Sequence, residues 1–124
     1  MTLSSALPAH GNPAFARLPE YRAVLEEQWR QQVAHIIELS YAALSPAPGE
    51  SDDASPTSPL RLAARLIAAA QQELQETEAA LARVDDGSYG LCGRCRAPIT
   101  SARLEIVPAA RYCVACEASH LTRR

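Results

Sequence analysis

Apolar residues in the first half of the chain fall into one stripe. Leu25, Trp29, Gln32, Ile36, Leu39 and Ala43 step by four, three, four, three and four, interrupted only at Gln32, and Val33 and Ile37 widen the stripe. That period predicts an amphipathic helix of about 26 residues near 19–44. Pro19 suits its first turn, and Glu20 sets a negative charge at the positive end of the helix. A cleaner pattern follows. Leu60, Ile67, Leu74 and Leu81 repeat every seven residues, and Ala63, Ala70, Thr77 and Val84 repeat every seven three places later. Two such rows make a coiled-coil seam on a helix near 60–85, which at 1.5 Å per residue is a rod of about 39 Å. Ser58-Pro59 supplies its cap and first residue, and Asp85-Asp86-Gly87 ends it.

The stretch 45–59 between the helices holds four prolines and a glycine and cannot continue either one. It reads as a linker or as an exposed tip. Two helices of similar length around such a loop predict an antiparallel hairpin in a monomer, with Ala63 and Ala70 facing the stripe from Trp29 to Leu39. Alanine permits the close approach, and Trp29, Ile36 and Leu39 have the bulk to fill the gap. A symmetric dimer through the same seams stays open, because heptads alone do not fix the partner. Residues 1–17 carry Pro8, Gly11 and Pro13 without a sustained period and read as a flexible arm, with Phe15 as the side chain to dock on the body. His35 reads as solvated, since no second ligand lies four residues away.

All four cysteines lie in the last third of the chain, as Cys92-x-x-Cys95 and Cys113-x-x-Cys116 with seventeen residues between the pairs. That is zinc-ribbon spacing. A borderline-soft Zn²⁺ in a closed structural site takes four tetrahedral thiolates and leaves no position for water. Gly93 inside the first pair suits a tight knuckle that needs positive φ. Two disulfides would suit an exported domain, but the chain opens Met1-Thr2-Leu3-Ser4-Ser5 with neither a basic nor an apolar leader region. A redox dithiol would sit in a βαβ context, which is lacking. One structural zinc on Cys92, Cys95, Cys113 and Cys116 is the expectation. His120, four residues beyond Cys116, reads as a surface residue, and the residues from Val114 onward as a short closing helix.

Composition adds three points. With 124 residues, 48% hydrophobic and 21% charged, the chain supports one modest core, much of it alanine, which benefits from a metal staple. No apolar run approaches the ~20 residues of a membrane span, and the cytoplasm is expected. Residues 1–86 carry six arginines against twelve acids, whereas 87–124 carry six arginines against two. An acidic body argues against a general nucleic-acid binder, whose footprint is a basic face.

The run Asp86-Gly87-Ser88-Tyr89-Gly90-x-Cys92-x-x-Cys95, with Ile99, Arg103-Leu104-Glu105, Pro108 and Cys113-x-x-Cys116-Glu117, resembles the zinc-finger signature of the DksA/TraR family. These are bacterial regulators that bind RNA polymerase directly instead of reading promoter DNA. The family usually has glycine after the second cysteine, where this chain has Arg96. The resemblance implies a mainly α fold: an antiparallel coiled-coil helical hairpin over 18–86 with its tip at 45–59, and over 87–124 a four-cysteine zinc finger with a ribbon-like globular end and a short C-terminal helix. It also implies a tip motif, Asp-x-x-Asp-x-Ala, that enters the polymerase secondary channel. Asp52, Asp53 and Ala54 are the match, with Asp52 as the second aspartate and Gly49 where the first belongs.

The function implied is non-enzymatic control of transcription initiation in the bacterial stringent response. RNA polymerase is the partner, and guanosine tetraphosphate acts in the family at a joint site. Sequence-specific DNA binding is not implied. The alternative is a zinc-ribbon module that contacts nucleic acid through Arg94, Arg96, Arg103 and Arg111, or another protein partner. An enzyme is not expected, since the chain offers no nucleophile, acid/base pair or open metal site.

Overall fold

A computed structural model describes residues 12–44 and 58–122. Four α-helices occur in them: α1 (Leu18–Leu44), α2 (Pro59–Asp86), α3 (Ser101–Ile106) and α4 (Val114–Thr122), with a 3-10 turn, Pro13–Arg17, leading into α1. The caps of α2 follow from its sequence. Ser58 accepts a hydrogen bond from the Arg61 N–H through its side chain, Pro59 opens the helix, and Gly87 closes it at φ 85°.

The long helices of this mainly α chain pair as an antiparallel hairpin. Arg22 meets Asp85 at 2.7 Å, Gln28 donates to Thr77 Oγ1 at 3.0 Å, and the Trp29 indole N–H donates to Glu78 at 3.0 Å. From Arg22 to Gln28 the position in α1 rises while the partner in α2 falls from Asp85 to Thr77, as antiparallel pairing requires. Ala63 is half-buried and Ala70 buried on the face toward α1.

Three expectations need correction. The inward position of α1 is Gln28, not Trp29, which stands 36% exposed at the rim. Adjacent helix positions differ by about 100°, so the face that reaches Thr77 turns the indole outward, where Glu78 satisfies its N–H. Leu60, set at the head of the seam, is 52% exposed. Of the arm expected over 1–17, residues 1–11 lie outside the described residues and 12–17 are ordered; what docks there is Asn12 and Ala14, both buried, while Phe15 faces solvent.

The core lies where the hairpin meets the finger. Tyr21, Leu25, Ala80 and Val84 from the stem pack with Tyr89, Cys92, Ile99, Leu104 and Ala110. The tip residues Asp52, Asp53 and Ala54 lie outside the described residues.

Candidate metal centre

The finger begins with a turn that reverses the chain off α2. Ser88 donates its hydroxyl and its N–H to Asp86 Oδ1, at 2.6 and 2.9 Å, and these bonds hold the Asp86 carboxyl below its ordinary pKa. Tyr89 is then fully buried, with its N–H on the Arg83 carbonyl and its hydroxyl donating to the Pro108 carbonyl at 2.6 Å. One residue, through its backbone N–H and its hydroxyl, thus ties stem, turn and spacer together.

Next comes a narrow loop that presents the first two sulfurs. Leu91 and Pro98 form an isolated antiparallel bridge, the Ile99 N–H donates to the Gly90 carbonyl, and the Cys92 N–H donates to the Ala97 carbonyl. Inside it the Arg96 N–H returns to the Cys92 carbonyl at 3.0 Å. This return needs a left-handed residue, and Arg96 supplies it at φ 67°. Gly93 does not: its φ is not positive, and a Cβ there would make only ordinary contact with Arg111 at 3.5 Å. The expectation that Gly93 relaxes the knuckle is therefore corrected to Arg96, a residue that adopts this conformation at a cost of roughly 1 kcal/mol.

The second pair arrives by way of α3. Thr100 caps it by accepting from the Arg103 N–H, Leu104 anchors it in the core, and Arg103 Nε donates to the Tyr112 carbonyl at 2.9 Å. Gly93 donates its N–H to the Arg111 carbonyl at 2.8 Å, which brings Cys113 beside the first loop. Cys116 follows on the first turn of α4.

The four Sγ atoms lie within 4.8 Å of one another, and Cys95 and Cys113 are 3.9 Å apart. Tetrahedral zinc with bonds of about 2.3 Å sets sulfurs about 3.8 Å apart, so the cluster fits the ion with little adjustment. None of the four is in a disulfide. Burial pushes the Cys92 thiol up, yet backbone N–H groups, among them those of Cys95 and Arg94, outweigh it and bring the thiol down to about 6. Burial and its three thiol neighbours push Cys116 up to about 12. Four sulfurs this close do not all ionise alone, and a divalent cation is the charge that lets them do so.

Beside the finger, a cleft of about 590 Å³ opens against α2, with Glu76, Arg83, Arg103, Arg111 and Glu117 among its walls. Arg83 spends donors on the carbonyls of Ala109 and Ala110, and burial, followed by the charge of Arg111, lowers its pKa. Arg103 lies 4.0 Å from Glu117.

Residues 87–120 match the prokaryotic dksA/traR C4-type zinc finger. The whole fold is similar to transcription factor DksA2 from Pseudomonas aeruginosa, at TM-score 0.72 and 25% identity over 97% of each chain. The finger is of the dksA/traR type, and the chain as a whole is DksA-like. It is also similar to the DnaK suppressor protein from Agrobacterium tumefaciens C58, at TM-score 0.57 and 29% identity over 82% of this chain and 91% of that one. An uncharacterized protein from Aquifex aeolicus (strain VF5) is 42% identical over 43 residues, which is 35% of this chain and 30% of that protein. The matched region thus spans less than a third of that curated relative. As a DksA-like chain with a C4 finger and clustered thiols, it carries one structural zinc ion.

Sequence reasoning brings forward the four cysteines and misses the residues that position them. Tyr89 stands inside the signature without a role of its own there. Arg96 departs from the family pattern, and that departure is the available signal for the left-handed site. Asn12 has no local signal. Among the described residues no helix is long and apolar enough to cross a membrane.

Proposed function

We propose that this chain is a non-enzymatic transcription regulator that binds RNA polymerase directly and inserts its hairpin tip into the secondary channel, with Cys92, Cys95, Cys113 and Cys116 holding the zinc at its base. The observation that carries this reading is the likeness to DksA2, a transcription factor, over 97% of both chains. Both the hairpin and the finger are included in it.

The physical parts suit the task. A helix of 28 residues is about 42 Å long, the reach of a probe for a deep channel. Zinc holds the finger closed, and the shared core around Tyr89 fixes the finger to the stem. Asp52, Asp53 and Ala54 act at the far end through charge and fit near the catalytic Mg²⁺ or its mobile loops, since hard cations favour oxygen ligands. We place the contribution of guanosine tetraphosphate at the cleft between α2 and the finger. There Arg103 and Arg111 meet a polyanion, against opposition from Glu76 and Glu117.

The test pairs two measurements: binding to purified core polymerase, and open-complex lifetime on a ribosomal-type promoter. Asp52→Asn removes charge at constant size and Ala54→Thr adds bulk, and both spare affinity while removing the effect on lifetime. Gly49→Asp restores the family motif and strengthens the effect. If Asp52→Asn leaves lifetime as the parent sets it, the tip assignment fails. Binding to naked DNA or RNA that falls steeply with salt, without polymerase binding, supports the zinc-ribbon alternative through Arg94, Arg96, Arg103 and Arg111 instead.

A further inference from the structure

Asn12 lies 77 positions before Tyr89, yet its side chain is built into the start of the finger. It is 2% exposed. Nδ2 donates to the Tyr89 carbonyl at 2.7 Å and to the Gly87 carbonyl at 3.4 Å, while Oδ1 accepts from the Ala14 N–H at 3.2 Å. One amide therefore caps the 3-10 turn Pro13–Arg17 and clamps the two carbonyls of the turn that leaves α2. The fit is tight at Gly90 as well. A Cβ built on Gly90 would lie 2.7 Å from Ala14 Cβ and 2.9 Å from Asn12 Oδ1, closer than such atoms approach, so the N-terminal segment sits directly on the glycine backbone.

From Gly90 the path to the metal is two residues long and hydrogen-bonded throughout. The Gly90 carbonyl takes the Ile99 N–H at 2.7 Å, Leu91 pairs with Pro98, and Cys92 closes on Ala97 at 2.8 Å. Cys92 is the buried member of the four thiols. Its direction is therefore set by a turn that Asn12 holds from outside the finger.

We infer that Asn12 is a positioning residue of the zinc site, so that docking of the segment 12–17 and retention of zinc are one coupled equilibrium. Coupling of this kind is reciprocal: docking slows zinc loss, and zinc tightens docking. The inference rests on the four-cysteine site and goes beyond it, because a self-contained finger would hold its metal whatever lies at Asn12. Zinc loss then loosens the root of α1 as well as the finger.

The experiment follows zinc release from the full chain to an excess of a coloured chelator, for the parent, Asn12→Asp, Asn12→Ala and Phe15→Ala. Zinc stoichiometry and helical circular dichroism are recorded on the same samples. Asn12→Asp keeps shape and the acceptor for Ala14 but removes the donation to Tyr89 and Gly87. Release from it and from Asn12→Ala is expected to speed up about tenfold, within the range found when groups supporting metal ligands are removed. Phe15→Ala, on an exposed side chain of the same segment, matches the parent. Asn12→Asp with full helicity, one zinc and the parent's release rate overturns the clamp, whereas a parent without zinc overturns the four-cysteine site instead. Should Asn12→Asp lose helix content, hydrogen exchange on the unmutated protein decides. The Phe15 amide, bonded to the Asn12 carbonyl at 2.9 Å, exchanges faster once zinc is stripped, and unchanged exchange overturns the coupling.

Discussion

The rings of Tyr21 and Tyr89 meet with centroids 5.1 Å apart and planes tilted by 44°. This is the contact through which the first turn of α1 reads the position of the finger. Removing the whole ring by Tyr89→Ala is expected to cost about 3–5 kcal/mol, as for other buried aromatics. Tyr89→Phe keeps the ring and loses the bond to Pro108, for about 1 kcal/mol. Urea unfolding of the zinc-loaded protein checks both.

Tyr89 also sets an alkaline limit. Burial first, and the neighbouring Tyr21 second, push its phenol up to about 12, from an ordinary value near 10. A phenol kept neutral by the fold contributes stability that is complete below the unfolded value. The contribution is lost as pH rises from about 10 through about 12. Melting temperature between pH 8 and pH 12 is expected to fall in this window for the parent and to fall less for Tyr89→Phe.

Arg96 occupies a conformation that glycine adopts without strain. Arg96→Gly relieves the strain but enlarges the freedom of the unfolded chain, so the net gain expected is small, up to about 0.5 kcal/mol. The reverse case is Gly90, at φ 91° and pressed by Ala14. Gly90→Ala is expected to destabilise by more than about 1 kcal/mol. Thermal melts of the two variants should move in opposite directions.

The seam has one polar atom left over. Gln32 Oε1 is buried and has no hydrogen-bond partner among the described residues. Gln32→Leu is expected to stabilise by about 1 kcal/mol. Its neighbour behaves oppositely: Gln28 donates to Thr77, and Thr77→Val, by stranding the amide, is expected to cost about 1 kcal/mol. Denaturant midpoints at unchanged slope measure both.

Zinc removal provides a further check. Metal analysis is expected to find one zinc per chain, and Cys92→Ser to lower that occupancy and loosen the finger with the base of the hairpin. Stripping the metal leaves most helical signal in place while near-ultraviolet signals from Tyr21 and Tyr89 weaken.

Much of this was legible because it depends on short-range pattern. An apolar stripe for the first helix, heptads for the second, and the proline and glycine signals at their ends placed the two helices to within a residue of Leu18–Leu44 and Pro59–Asp86. Paired cysteines announced their shared metal ion. The features that escaped depend on what arrives from elsewhere in the chain. Gln28 and Trp29 are adjacent, so a stripe drawn along α1 cannot say which one faces Thr77 until α2 is in place. Gly93 looked like the residue with unusual backbone because glycine permits it, while the knuckle imposed that backbone on Arg96. Asn12 had nothing near it in sequence to suggest a partner at Tyr89.

Burial along the hairpin falls away from the metal. The buried side chains of α1 are Tyr21 and Leu25, both near its start, and those of α2 are Ala70, Thr77, Ala80 and Val84, which leaves the turns nearest Pro59 without one. The stem is in mechanical terms a cantilever, clamped at one end and compliant toward the other. Deflection of a clamped beam grows steeply with distance from the clamp, so under a side load the turns over 33–44 and 59–69 are displaced more than those beside the finger. The anchorage carries the largest bending moment, and the buried side chains are concentrated there. A rod graded this way yields at its thinly packed end while its metal joint holds still.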